Sequence, residues 1–196
     1  GSNFIYSGNL PKRFQGKAMV CEPTMKVVSL FDVQPDGAGW KALDGYNIFA
    51  SSDEWTSPVH AEVGPDGAVW VADFENFIIQ HNPTPSVERG GYKAETGVGG
   101  AHVNELRDHA RGRIYRIVPD KGAERIGQKV NLAEASTEEL VKTLSHPNGW
   151  HRDTAQRLLF ERQDKAAVPM LEKVLSGDNA LAKLQKSSTE NSLLLQ

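Results

Sequence analysis

Cysteine is nearly absent from this chain: Cys21 is the only one in 196 residues. A single thiol excludes an internal disulfide and any CxxC or CxxCH site within these residues. Long apolar runs are missing too, so no stretch reads as a membrane span. Neither sign of charge dominates. Acidic residues number 25 against 22 basic ones, a net charge of -3, which leaves no broad polycation for nucleic acid. Hydrophobic residues make up only 39% of the chain, which leaves room for long polar loops. No HxxxH or HExxH spacing supports a zinc site, and no DxDxDG loop supports calcium. Helical segments are lacking between the strands of the first half, which argues against βαβ units and a parallel sheet. Gly1-Ser2 reads as a cloning remnant, and no signal peptide follows it.

What is present centres on Ser57 to Asn82. Val59, Ala61 and Val63 alternate with His60 and Glu62, the period of a strand. Pro65-Asp66-Gly67 then supplies turn chemistry: proline presets φ, aspartate bonds its own backbone, and glycine accepts positive φ. Val69, Trp70 and Val71 form a β-branched and aromatic run ending at Asp73. Phe77, Ile78 and Ile79 resume the apolar pattern until Pro83 and Pro85 stop it. This is a meander, one blade's worth of sheet.

Earlier in the chain, Asn3 to Asn9 reads as extended, and Lys17 to Cys21 and Lys26 to Val33 read as strands. Gln34-Pro35-Asp36-Gly37 is a second turn, and Asn47 to Ala50 predicts another short strand. Residues 83–110 are a long Gly-rich loop, of the kind that is either functional or disordered. Arg113 to Val118 returns to strand alternation. After a linker at 120–134 the period becomes helical. Ser136-Thr137-Glu138-Glu139 fits a capping box ahead of Leu140, Val141 and Leu144. His146-Pro147-Asn148-Gly149 stops that helix. Trp150 to Gln163 predicts a second helix, with Ala155, Leu158 and Leu159 inward. Its Arg152, Arg157, Glu161 and Arg162 are expected outward, and His151 with the arginines gives a solvated basic face. Val168 to Leu175 predicts a third helix with Gly177 as its C-cap. The expected organisation is β-rich over 3–119, helical over 135–177, and a frayed tail over 178–196.

In order along the chain, KAMVCEPTM, ASSDEWTSPVHAEVGPDGAVWVADFENFIIQHNPTP, AHVNELRD and RGRIYRIV resemble the end of a family's propeller. That family is the large secreted membrane-bound dehydrogenase proteins of Planctomycetes, Verrucomicrobia and Bacteroidetes, called PVC-type haem-binding or sorbosone-dehydrogenase-like. NGWHRDTAQRLLFERQDKAAVPML is similar to the HEAT-like helices that follow the propeller there. The resemblance spans nearly the whole chain to Gly177. It implies a fold of antiparallel β-propeller blades followed by a HEAT-like helical hairpin, the chain being a fragment of the whole. For the parent protein it implies a quinone (PQQ), calcium, haem c and a periplasmic or extracellular location; none of these cofactors is expected within this chain. The remaining blades, or self-association, would cover its open faces, and a sugar-type small molecule would be the ligand. The chain departs from the family where an aromatic pair, as in DWYN, is replaced by Asp73-Phe74-Glu75-Asn76. A second departure is that the segment after Asp178 carries no continuing repeat.

Several side chains could carry chemistry. Glu62, Asp73, Glu75 and Asn76 are oxygen donors near one blade, but Asp73 equally serves to end a strand and cap its turn. His60, His81 and His102 could supply imidazole, with His81 and Asn82 best placed at the mouth of the long loop. Arg107, Asp108, Arg111 and Arg113 suit either an anionic ligand or a salt-bridged loop base. Cys21 sits among strand residues with no base nearby and reads as a small apolar side chain. No residue of this chain is assigned a catalytic role. The expected function is a non-catalytic portion of an extracytoplasmic quinone-dependent sugar or alcohol dehydrogenase. The alternative is a propeller scaffold or a carbohydrate- or protein-binding module.

Overall fold

A computed structural model of the chain describes residues 1–77, 86–97, 103–106, 110–120 and 130–176. Antiparallel sheets occupy the N-terminal part and three helices follow. One sheet has the order β1-β2-β3-β4, formed by Ser2–Phe4, Ala18–Glu22, Val27–Asp36 and Gly39–Ala50. The other has the order β5-β6-β7, formed by Pro58–Val63, Val69–Asp73 and Arg113–Ile117. The helices are α1, Thr137–Thr143; α2, Gly149–Arg162; and α3, Ala167–Leu175. Short 3-10 turns lie at Lys12–Phe14, Val87–Arg89 and Leu132–Glu134. The last of these falls inside the expected linker.

By contact the chain forms two compact units. The first comprises residues 1–3, 18–61 and 71–115; the second comprises 4–17, 62–70 and the described residues from 116 onward. In the first unit the alternation of β2 and β3 builds the core directly. Met19 lies opposite Leu30 and Cys21 opposite Val28, and all four side chains are buried. The β3–β4 hairpin closes through Gly37, whose φ of 58° suits a two-residue hairpin loop. β4 is far longer than the expected strand at Asn47 to Ala50. It starts at Gly39 and keeps pairing with β3 through two irregularities of register. Gly45 explains how: the Phe31 ring lies over it, and a Cβ there would come 2.6 Å from a ring carbon. A glycine that reads as a strand breaker is here a site of close approach.

Of the expected third run of the meander, Phe77 to Ile79, Phe77 alone falls within the described residues. It lies in a bend, and β7 lies beside β6. In the second unit, Ile5, Leu10, Val63, Ala68, Val69, Leu140, Val141, Ala155 and Ala167 are buried. α1 packs against both α2 and α3. Its capping box is complete: Ser136 Oγ accepts from Glu139 N–H, and the Glu139 carboxylate accepts from Ser136 N–H at 2.7 Å. Arg162 at the end of α2 donates to the carbonyls of Ala135 and Ala133, which ties it to the segment before α1. Gly177 falls outside the described residues; Ser176 caps α3.

Candidate functional site

The sequence-predicted donors of the first unit converge at the end of β6. Asp73 is 4% exposed. Its Oδ1 accepts from Ser57 N–H at 2.6 Å and from Glu75 N–H at 2.8 Å. The second of these bonds is an aspartate turn two residues long, and it holds Glu75 at a φ of 50°. Glu75 is itself buried, and its Oε1 accepts from Arg113 at 2.7 Å. Arg113 also reaches Asp53 Oδ2 at 3.0 Å and the Tyr115 hydroxyl at 3.3 Å. The bonds to Tyr115 and Asp53 push the guanidinium further up from its already high pKa. Asp53 is held below its usual range, first by the Trp55 N–H and then by Arg113. Ser57 Oγ donates to the Asn76 carbonyl at 2.6 Å. Lys26, at a φ of 64°, brings its ammonium within 3.3 Å of Ser57 Oγ and of the same carbonyl. Burial pushes the Lys26 pKa down, against the pull of Asp73, Glu54 and Asp53. Asp73 Oδ2 is buried with no hydrogen-bond partner.

This arrangement ties three segments, 53–57, 73–76 and 113–115, with charge-assisted bonds. It does not fit calcium, which needs roughly six free oxygens. Asp73 Oδ1 is taken by two N–H groups and Glu75 by an arginine, and the neighbouring cation is Lys26. Among the described residues no three His, Cys, Asp or Glu side chains converge as metal ligands. Haem c attachment does not fit either. Cys21 is the only thiol; it is buried, and burial pushes its pKa up.

The other predicted residues lie elsewhere. His60 is exposed on β5 and Glu62 is half-buried on the same strand. His81, Asn82, His102, Arg107 and Asp108 fall outside the described residues. Of the predicted arginine cluster, Arg113 pairs with Asp53 and Glu75, and Arg111 is exposed. An open groove of about 530 Å³ runs along Asn131, Glu134, Glu139 and Lys142 in the helical region. Its Glu139 is engaged in the cap of α1 and Lys142 in an ion pair with Glu138.

Sequence reasoning missed the residues that grip the Pro65-Asp66-Gly67 turn in the second unit. Gly67 N–H donates to Gly64 O at 3.0 Å, and Gly67 has a φ of 81°. Asp66 Oδ1 accepts from Ala68 N–H and from the Trp70 indole, each at 3.0 Å, while Oδ2 pairs with Arg116 at 2.7 Å. Burial alone would raise the Asp66 pKa; the bonds from Trp70, Ala68 and Arg116 outweigh it and hold the carboxyl low. From the N-terminal segment, Ser7 Oγ donates to Gly67 O at 2.6 Å and Asn9 Nδ2 to Asp66 O at 2.8 Å. From the start of α2, Asn148 Nδ2 donates to Gly64 O at 2.9 Å, and His151 Nε2 lies 2.8 Å from Pro65 O. His151 is therefore buried, not part of a solvated basic face. Arg152 is half-buried and clamps the carbonyls of His146 and Pro147. The sequence signal was Asn148, an N-cap residue type just before a helical run.

The described chain is thus an antiparallel β module followed by helices, with carboxylates spent on turns and arginine ties. The model of a domain of unknown function, DUF7133, matches residues 1–121, and the chain belongs to that family. No curated protein and no solved structure matches it.

Proposed function

We propose that this chain is a non-catalytic portion of a larger extracytoplasmic propeller protein that oxidises a sugar or sugar-derived alcohol with a quinone. The observation that carries the non-catalytic part is the commitment of the blade's polar groups. Asp73, Glu75, Asp53 and Arg113 are engaged with one another's segments rather than converging on an open cavity. The substrate and quinone rest on the ordered motifs that resemble the dehydrogenase propellers, and a fold-level likeness leaves chemistry to be tested. By the same resemblance, the base and arginine that handle substrate and quinone would lie in blades outside this chain.

The test is dye-linked oxidation of sugars by the full-length parent, with and without added quinone and calcium. Quinone-dependent turnover by the parent, with none by this chain alone, is the expected result. Absence of turnover with every quinone would leave the second reading, a carbohydrate-binding scaffold. One feature favours that alternative: Trp40 on β4 is 71% exposed, and an open indole face is the kind of surface on which a sugar ring stacks. Glycan binding that Trp40→Ala abolishes would identify that reading.

A further inference from the structure

His146 and His151 stack face to face, with ring centroids 4.0 Å apart and planes 21° from parallel. His146 lies between α1 and α2, and His151 lies in the first turn of α2. The proton positions follow from their partners. A carbonyl can only accept, so His151 Nε2, at 2.8 Å from Pro65 O, carries its hydrogen. A backbone N–H can only donate, so His146 Nδ1, at 3.0 Å from Asn148 N, must be a bare lone pair. His146 is therefore required in its neutral form.

Asn148 gives that requirement its reach. Its N–H depends on His146, its Oδ1 caps α2 by accepting from Trp150 N–H at 2.9 Å, and its Nδ2 holds Gly64 O. We propose that the His146–His151 pair is an acid-sensitive latch: protonation of His146 removes the acceptor under Asn148 and releases the start of α2 from the Gly64–Pro65 turn. The groups facing the latch reinforce the sign. Arg152 from α2 places its guanidinium on the His146 and Pro147 carbonyls. His151 stacks on the ring that would become charged. Tyr6 from the N-terminal segment lies under Arg152. Asp66 in the turn is already committed to Trp70 and Arg116. Burial first and then the His151 charge push His146 down from its ordinary value of 6.5, and they outweigh the opposing contribution of the Asn148 contact; Arg152 adds a smaller push downward. A neutral imidazole with a depressed pKa stabilises fully above that ordinary value. The contribution is lost as the pH falls below it towards the folded pKa.

The experiment is amide hydrogen exchange on the full chain at about pH 7.5 and about pH 5, corrected for intrinsic rates. Protection at residues 64–68 and 148–152 is expected to fall about tenfold or more at the lower pH, while β2 and β3 stay protected. His146→Asn, which offers an amide oxygen near the position of Nδ1 but cannot be protonated, is expected to abolish that difference. Equal protection at both pH values in the native chain would overturn the latch, as would an undiminished acid effect in His146→Asn. If that variant fails to fold, NMR titration of the native imidazoles decides. The His146 ring and the Asn148 amide must titrate together below the ordinary imidazole range, and independent titration overturns the proposal.

Discussion

At Asp66 and Asp73 a carboxylate acts as a backbone acceptor, the first in the turn between β5 and β6 and the second at the last residue of β6. Asp73 Oδ1 serves the N–H groups of Ser57 and Glu75, and the carboxylate is buried. Asp73→Ala leaves both donors buried and unpaired, so denaturant unfolding should show a loss of roughly 2–4 kcal/mol. A loss well under that would mean solvent reaches the turn. Asp66 predicts a pH effect. Its folded pKa is depressed below 3.8, so its contribution is present above that value and is lost as the pH falls through it. Thermal melts of Asp66→Asn should therefore show a shallower stability decline below about pH 4 than the native chain. The turn role of Asp66 was legible from Pro65-Asp66-Gly67, because a turn is a local event. The burial of His151 was not legible, because its partner carbonyl lies 86 residues away.

At the scale of elements, helices announced themselves through their ends. The Ser136 capping box was readable because four consecutive residues contain it. Ser136→Ala should lower stability by about 1 kcal/mol, measurable as a shift in the urea midpoint without a change in slope. The length of β4 was not readable. Gly39, Gly45 and Asn47 interrupt its β-propensity, and the strand persists because β3 supplies a ladder and Phe31 covers Gly45. Gly45→Val puts branched carbon where the Phe31 ring and the Leu30 carbonyl already sit. The substitution is expected to cost about 2 kcal/mol or more, and Phe31→Ala should lessen that increment when the two are combined. Additive losses would indicate that the ring moves aside freely.

At the scale of the molecule, one short turn gathers distant parts of the second unit. Ser7 reaches Gly67 across 60 residues and Asn148 reaches Gly64 across 84. Two grips on one turn should be coupled. In a double-mutant cycle with Ser7→Ala and Asn148→Ala, the combined loss should differ from the sum by about 0.5 kcal/mol or more. Independent losses would show that the turn is rigid without either partner. Gly67 cannot be replaced without disturbing this junction. Its φ is left-handed, and a Cβ there would come 2.6 Å from Asn9 Nδ2 and 2.9 Å from Ser7 Oγ.

Period and end chemistry in the sequence alone determined that strands come first and helices follow, where two tight turns lie, and how α1 begins. All of these depend on neighbours within a few residues. Tertiary structure alone decided the rest: that β7 lies beside β6, that Arg113 finds Asp53 and Glu75, and that His151, stacked on His146, meets the remote Pro65 carbonyl. Those pairings are set by which buried donors and charges must be satisfied once the chain is compact, a condition that no local pattern encodes.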